Sequence, residues 1–238
     1  MKYKKEDDFS YALGATIVYE LLTSNVTKID EIYYCDKTSE DLVKKFLGLA
    51  QKFGVHFTLN NKIFHQLSDK ENCYIIAKFK KYDNNLNKNC PHIVLVNPSN
   101  SGNLGTIIRS ALGFDVKDIA IISPAVDIFD PKTIRASMGA LFHCNIQYFA
   151  NIQQYLSAHT GRKLYPFMLK ATTDLREIED IDLNKTTLIF GNEATGLEDS
   201  YLKLGQSVLI KHSKNIDSLN LQTAVSIALF HFTQKSKF

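Results

Sequence analysis

The chain has 238 residues, 45% hydrophobic and 22% charged, with 28 Lys and Arg against 25 Asp and Glu for a formal net charge of +3. This is an ordinary soluble globular composition, enough for one large domain or two modest ones, and the charge is compatible with nucleic acid without demanding it. No run approaches the ~20 apolar residues of a membrane span, and Met1 to Asp8 holds no apolar core of a secretion signal, so a cytoplasmic location is expected.

In chain order, Leu13, Ile17, Val18, Leu21 and Leu22 follow helical spacing, and Ile29 to Cys35 reads as a short strand. Glu40 to Phe53 returns to a helical pattern, with Leu42, Phe46, Leu49 and Phe53 on one side and Gly54 as the stop. Val55 to Leu59 alternates as a strand does, and Cys73 to Phe79 is another apolar run. This order predicts a small α/β domain over residues 1–82. Lys78, Lys80 and Lys81 flank its last strand and read as solubility devices, with phosphate contact as the alternative.

Asp83 to Pro91 is polar, asparagine-rich and closed by a proline, as a linker is. Over residues 92–238 strands alternate with helices. Strands are expected at His92 to Asn97, Ile119 to Ser123, near Leu164 to Lys170, at Thr187 to Phe190 and at Val208 to Lys211. Helices are expected from Leu104 to Phe114, from Pro131 to Met138 and at the end, where Leu221, Ala224, Val225, Ala228, Leu229 and Phe232 form one apolar stripe. The pattern predicts an α/β fold with a mostly parallel sheet covered by helices on both faces.

The four cysteines, Cys35, Cys73, Cys90 and Cys144, are dispersed without a C-x-x-C pair, so reduced thiols and no metal site are expected. His143 beside Cys144 reads as a buried structural pair. Arginine occurs only at 109, 135, 162 and 176, and two of these fall within recognisable patterns.

Three segments bear on chemistry. In the first, Asn97 to Arg109, a buried strand runs into a helix; Gly102 and Gly105 permit close backbone approach, and the helix N-terminus offers free N–H groups to an anion. In the second, Leu188 to Asp199, another strand enters a polar loop whose glycines leave Asn192 and Glu193 exposed. In the third, Leu209 to Asn220, the chain leads into the last helix, which Asp217 or Ser218 would cap; Asn220 is a mediocre helix former there. Each alone is a turn with a plain structural explanation.

Together, Asn103-Leu-Gly-Thr-Ile-Ile-Arg109, Gly191-Asn-Glu-Ala-Thr-Gly196 and Ser218-Leu-Asn220 resemble, in order, the three motifs of the SpoU (TrmH-like) family of SPOUT RNA methyltransferases. Arg135 to Phe142 is similar to a stretch that the family has between its first two motifs. The resemblance spans residues 92–235, and the N-terminal part is similar, more weakly, to the L30e-like substrate-binding domain of many members. It implies a deep trefoil knot in the C-terminal domain, an exception to the un-knotted rule. It also implies S-adenosylmethionine as methyl donor, contacted at Gly191, Ile210 and Leu219, and a homodimer, which the long apolar face of the last helix would suit.

The implied reaction is methylation of a ribose 2′-hydroxyl, the group that distinguishes RNA from DNA, with no role for DNA or membrane. Arg109 would be the central catalytic residue. An arginine with a pKa above ~12 is a poor base, so it would orient the target phosphate and stabilise the developing alkoxide. Asn103, Glu193, Ser218 and Asn220 would fix the arginine and the ribose. The appended N-terminal domain favours 23S ribosomal RNA, with transfer RNA and a non-catalytic RNA-binding role as the alternatives. A nicotinamide dehydrogenase lacks its glycine fingerprint here. One departure from the family stands out: where members have a proline and a glycine after the third-motif strand, this chain has Lys211 and Lys214, which puts the donor contacts there in question and offers two lysines to RNA phosphate.

Overall fold

The computed structural model describes residues 3–24, 26–67, 72–179 and 181–235. They divide into two compact units, one drawn from 1–82 and 127–143, the other from 83–126 and 144–238. The elements begin with β1 (Phe9–Leu13), α1 (Ala15–Ser24), β2 (Ile29–Tyr34), α2 (Glu40–Phe53), β3 (His56–Leu59), α3 (Asn61–Leu67) and β4 (Ile75–Lys80). There follow β5 (His92–Val96), α4 (Ser101–Gly113), β6 (Asp118–Ile122), α5 (Pro131–Ala136), β7 (Asn145–Phe149) and α6 (Ile152–Ala158). The chain then forms β8 (Lys163–Pro166), β9 (Thr173–Asp174), β10 (Thr186–Phe190), β11 (Val208–Leu209) and α7 (Leu221–Lys235). No described helix is long and apolar enough to cross a membrane.

The first unit is built on a sheet of order β1-β4-β2-β3, in which β4 runs antiparallel to β1 and β2 while β2 and β3 are parallel. Helical spacing from Leu13 concealed β1. Leu13 is the last residue of a strand paired with Ile76, and Gly14, at φ 107, makes the turn into α1 that a side chain would strain. Residues 127–143 belong to this unit rather than to the C-terminal one, a correction to the expected contiguous domains. Their apolar side chains explain it: Phe129 and Phe142 pack their rings against Phe79 of β4, and the Ser10 hydroxyl donates to the Phe129 carbonyl. His143 pairs with Glu20 of α1 at 2.8 Å.

The second unit holds a five-stranded sheet of order β7-β6-β5-β10-β8, parallel throughout, with β9 and β11 forming a small parallel pair. β7 and α6 were not foreseen, because Gln147 and Tyr148 break the apolar run of an edge strand. The expected linker is also corrected: within residues 83–91, Leu86 is buried in the core, and the Asn87 backbone donates to Asp118 Oδ1 at 2.6 Å.

At the amino ends of these strands a buried polar chain closes the sheet. Arg162 Nε donates to Thr187 Oγ1 at 2.6 Å, and its Nη groups donate to the carbonyls of Lys88, Cys90 and Thr186. His92 Nε2 lies 2.7 Å from the Asn87 carbonyl, which only accepts, so Nε2 holds the proton and Nδ1 accepts from Tyr155 Oη at 2.8 Å. The Tyr155 oxygen in turn lies 2.9 Å from Thr187 Oγ1. Burial, and then the Arg162 charge, push the His92 imidazole down to about 3. The unfolded ring titrates near 6.5, so between these values the unfolded chain binds the extra proton. Stability from this group is full above pH 6.5 and is lost as pH falls. Between pH 7.5 and 5.5 it should cost about 1.4 kcal/mol in urea unfolding. His92→Gln should remove that increment, and an unchanged pH slope in the variant would refute the assignment.

Candidate functional site

Because β5 and β10 are parallel neighbours with Leu95 opposite Phe190, the loops leaving their carboxyl ends emerge side by side. That is where ligands sit in open α/β sheets. The second-motif loop is turned back on itself: the Gly196 N–H donates to the Asn192 carbonyl at 2.9 Å, and Asn192 Oδ1 accepts from the Ala194 backbone. Asn192 Nδ2 reaches the Asn97 carbonyl at 2.7 Å and ties the loop to the end of β5. Gly191 has no alternative here, since a Cβ would stand 2.1 Å from the Gly196 carbonyl carbon.

Glu193 projects onto the N-terminus of α4. Its carboxylate accepts from the backbone N–H of Ser99 and Asn100 at 3.1 and 3.2 Å, from the Ser99 hydroxyl at 2.9 Å and from Asn103 Nδ2 at 3.3 Å. Burial would raise its pKa, yet these hydrogen bonds, with that of its own backbone, prevail and hold it below the ordinary value. Asn100 caps the same helix by accepting from the Asn103 N–H. The first and second motifs are thus joined by one ionised side chain, with Asn103 and Glu193 in direct contact.

Beside this junction lies a cavity of about 430 Å³. Its walls come from residues 167–170 after β8, from the 190–199 loop, from β11 and the residues after it, and from 218–224. Phe167 and Phe190 stack at 4.5 Å with their rings near parallel. The expected donor residues Gly191, Ile210 and Leu219 all line this one space, as do Glu193 and Ser218. Sequence reasoning did not place Phe167, Met168, Lys170 or Asp199 at the site, although Asp199 closes the second segment. Only the apolar run near 164–170 hinted at the first two. Among the described residues no group of three or more His, Cys, Asp or Glu is placed to hold a metal ion.

Other expected residues stand apart. Arg109 is exposed on α4, outside the cavity lining, with no hydrogen bond or ion pair among the described residues. Helical side chains lean toward the N-terminus, and the positions four and seven residues back are Gly105 and Gly102, so neither presents a side chain between Arg109 and the Glu193 end of the helix. Asn220, not Asp217 or Ser218, caps α7: its Oδ1 accepts from the Gln222 N–H at 3.0 Å and its carbonyl from Ala224. Arg135 lies in the first unit, on α5. Lys211 is not free for phosphate. It pairs at 3.1 Å with the nearly inaccessible carboxylate of Asp174, which Arg176 also holds, and their hydrogen bonds keep that carboxyl well below the usual carboxylate range. This pairing links the segment after Ile210 to β9.

The fold and site define a parallel α/β protein with a ligand cavity between the loops at the carboxyl ends of its strands. Residues 91–230 match the model of the SpoU rRNA Methylase family, and the chain belongs to that family. It is 34% identical over 142 residues to an uncharacterized tRNA/rRNA methyltransferase of Synechocystis, covering 58% of this chain and 51% of the relative. It is 28% identical over 140 residues to the 23S rRNA (uridine(2479)-2'-O)-methyltransferase of Streptomyces viridochromogenes, covering 56% and 48%. The chain therefore matches about half the length of these two relatives. In structure it is similar to the AdoMet-bound rRNA methyltransferase of Sinorhizobium meliloti, with a TM-score of 0.81 and 24% identity over 95% of this chain and 87% of that one.

Proposed function

We propose that the protein transfers a methyl group from S-adenosylmethionine to a ribose 2′-hydroxyl of RNA. The observation behind this reading is that Gly191, Ile210, Leu219, Glu193 and Ser218, from two separated motifs, line one cavity beside the α4 N-terminus on which Glu193 is held. The walls fit the donor: apolar faces suit an adenine ring, and the contour around Gly191 leaves no space for a side chain. Bound there, the donor supplies a sulfonium-activated methyl group. This chain's residues must place the attacking oxygen and dispose of its proton. Arg109 orients the target phosphate and stabilises the developing alkoxide, with that phosphate assisting passage of the proton to solvent. Asn103 and Glu193 fix the helix that presents the arginine. Ser218 hydrogen-bonds the ribose, and Asn220, whose Oδ1 is committed to capping, offers its amide N–H groups.

Ribosomal RNA is the favoured substrate within this reading, supported by the similarity to a 23S rRNA methyltransferase. The first unit then serves as an L30e-like RNA-binding module, and the C-terminal unit has the family's knot. A homodimer is supported by Ile227 and Phe230, 38% and 58% exposed on α7, where Phe230 meets Phe114 across from α4. The reading is tested by calorimetric titration with S-adenosylmethionine and by mapping ribose methylation in RNA from cells with and without the gene. Donor binding together with loss of one ribosomal methylation is expected. A missing transfer RNA methyl group instead would redirect the substrate, and absence of donor binding would overturn the reading.

A further inference from the structure

Resting on the methyl-donor reading above, we propose that Lys170 and Asp199 receive the charged amino-acid end of the donor. The two side chains meet at the cavity, Lys170 from the segment after β8 and Asp199 from the short 3-10 turn that follows the 191–197 loop. Lys170 Nζ lies 2.7 and 2.8 Å from the two carboxylate oxygens. Both side chains are about two-thirds exposed, at 67% and 69%. A pair so exposed adds little to stability, so a ligand separates it at small cost.

The remaining lining narrows the choice. Glu193 has both carboxylate oxygens engaged by the α4 N-terminus, and His212 lies with Nδ1 2.8 Å from the Ile210 carbonyl. Phe167, Phe190, Met168 and Val208 are apolar. Among the described residues, Lys170 and Asp199 are therefore the charges on this lining that are joined only to each other. An amino-acid tail has one carboxylate and one ammonium group, and adenosine has neither. Binding the tail exchanges one solvent-exposed ion pair for two, one at each side chain, which matches sign to sign without leaving a charge unpaired.

The test compares two ligands that share an adenosine thioether and differ in the tail, S-adenosylhomocysteine and 5′-methylthioadenosine, titrated calorimetrically into the full chain. Lys170→Met and Asp199→Asn should each weaken the homocysteine compound roughly fivefold, as an exposed charge contact does. The affinity for methylthioadenosine should stay within about twofold, because its binding involves neither charge. A variant that merely folds poorly would lose both ligands alike, and that outcome overturns the assignment. So does an unchanged affinity for the homocysteine compound. The exchange Lys170→Asp with Asp199→Lys restores an ion pair with its signs reversed. It should remain weak toward the homocysteine compound, and full recovery would mean that the pair only braces the rim. A wild-type chain that binds neither ligand removes the donor reading and this assignment with it; wild-type binding with unaffected variants removes this assignment alone.

Discussion

Replacing Arg109 with alanine should lower methyl transfer by about a thousandfold, the upper range for losing one donor to a developing oxyanion, while donor affinity measured by calorimetry stays within about twofold. The split follows from position. Arg109 is exposed, lies outside the cavity lining and has no partner among the described residues, so its removal opens no hole and leaves no buried group unpaired. In the proposed reaction its contribution would fall in the step in which charge develops on the ribose oxygen. Arg109→Lys keeps the charge but loses the planar fork that binds phosphate through two N–H groups, so it should recover only part of the rate. Near-normal turnover by the alanine variant would remove Arg109 from the mechanism.

Gly191→Ala should act in the opposite way, abolishing measurable donor binding. An alanine Cβ would sit 2.1 Å from the Gly196 carbonyl carbon and 2.4 Å from both its oxygen and the Leu197 nitrogen. Those are backbone atoms, so no rotamer relieves the clash, and the loop must open. Overpacking of this kind costs ~1–3 kcal/mol in stability, visible as a lower melting temperature. The affinity suffers more, because the displaced loop forms a wall of the cavity. Gly196→Ala provides the control. Gly196 has φ +68 with nothing within 4 Å of a Cβ, so that change costs only the left-handed conformation, ~1–2 kcal/mol. Equal affinity losses in the two variants would show that the close approach at Gly191 is not what shapes the site.

Much of this was legible in the sequence, for reasons that differ between parts. The parallel sheet was readable because β5, β6 and β10 are buried along their whole length, and such strands are continuous apolar runs. Motif order put Asn103 and Glu193 in one site, but their direct contact across ninety residues is visible only in the structure. Asn220 misled, since it stands just ahead of α7 and its side chain accepts from Gln222 N–H in the first turn, so it is not an interruption within the helix. Edge strand β7 was invisible because only Ile146 and Phe149 of its five residues are buried, three apart, which gives neither an apolar run nor an alternation. The Lys170–Asp199 pair had no signature, as two surface charges twenty-nine residues apart resemble any others. Lys211 looked like a free cation because its partner, Asp174, lies on β9, a two-residue strand too short to leave a pattern.

The assignment of residues 127–143 to the first unit also sets an order of events during synthesis. When the ribosome has delivered residues 1–82, the apolar side chains of Phe79 and Ser10's hydroxyl still lack Phe129 and Phe142, their partners in the finished unit. Those arrive only after β5, α4 and β6, which belong to the other unit, have already emerged. Neither unit is a continuous stretch of chain, so a single cut releases neither one whole. A truncation at the asparagine-rich segment would yield a fragment with an uncovered aromatic face, and dissecting the protein requires that 127–143 be grafted back onto the N-terminal piece.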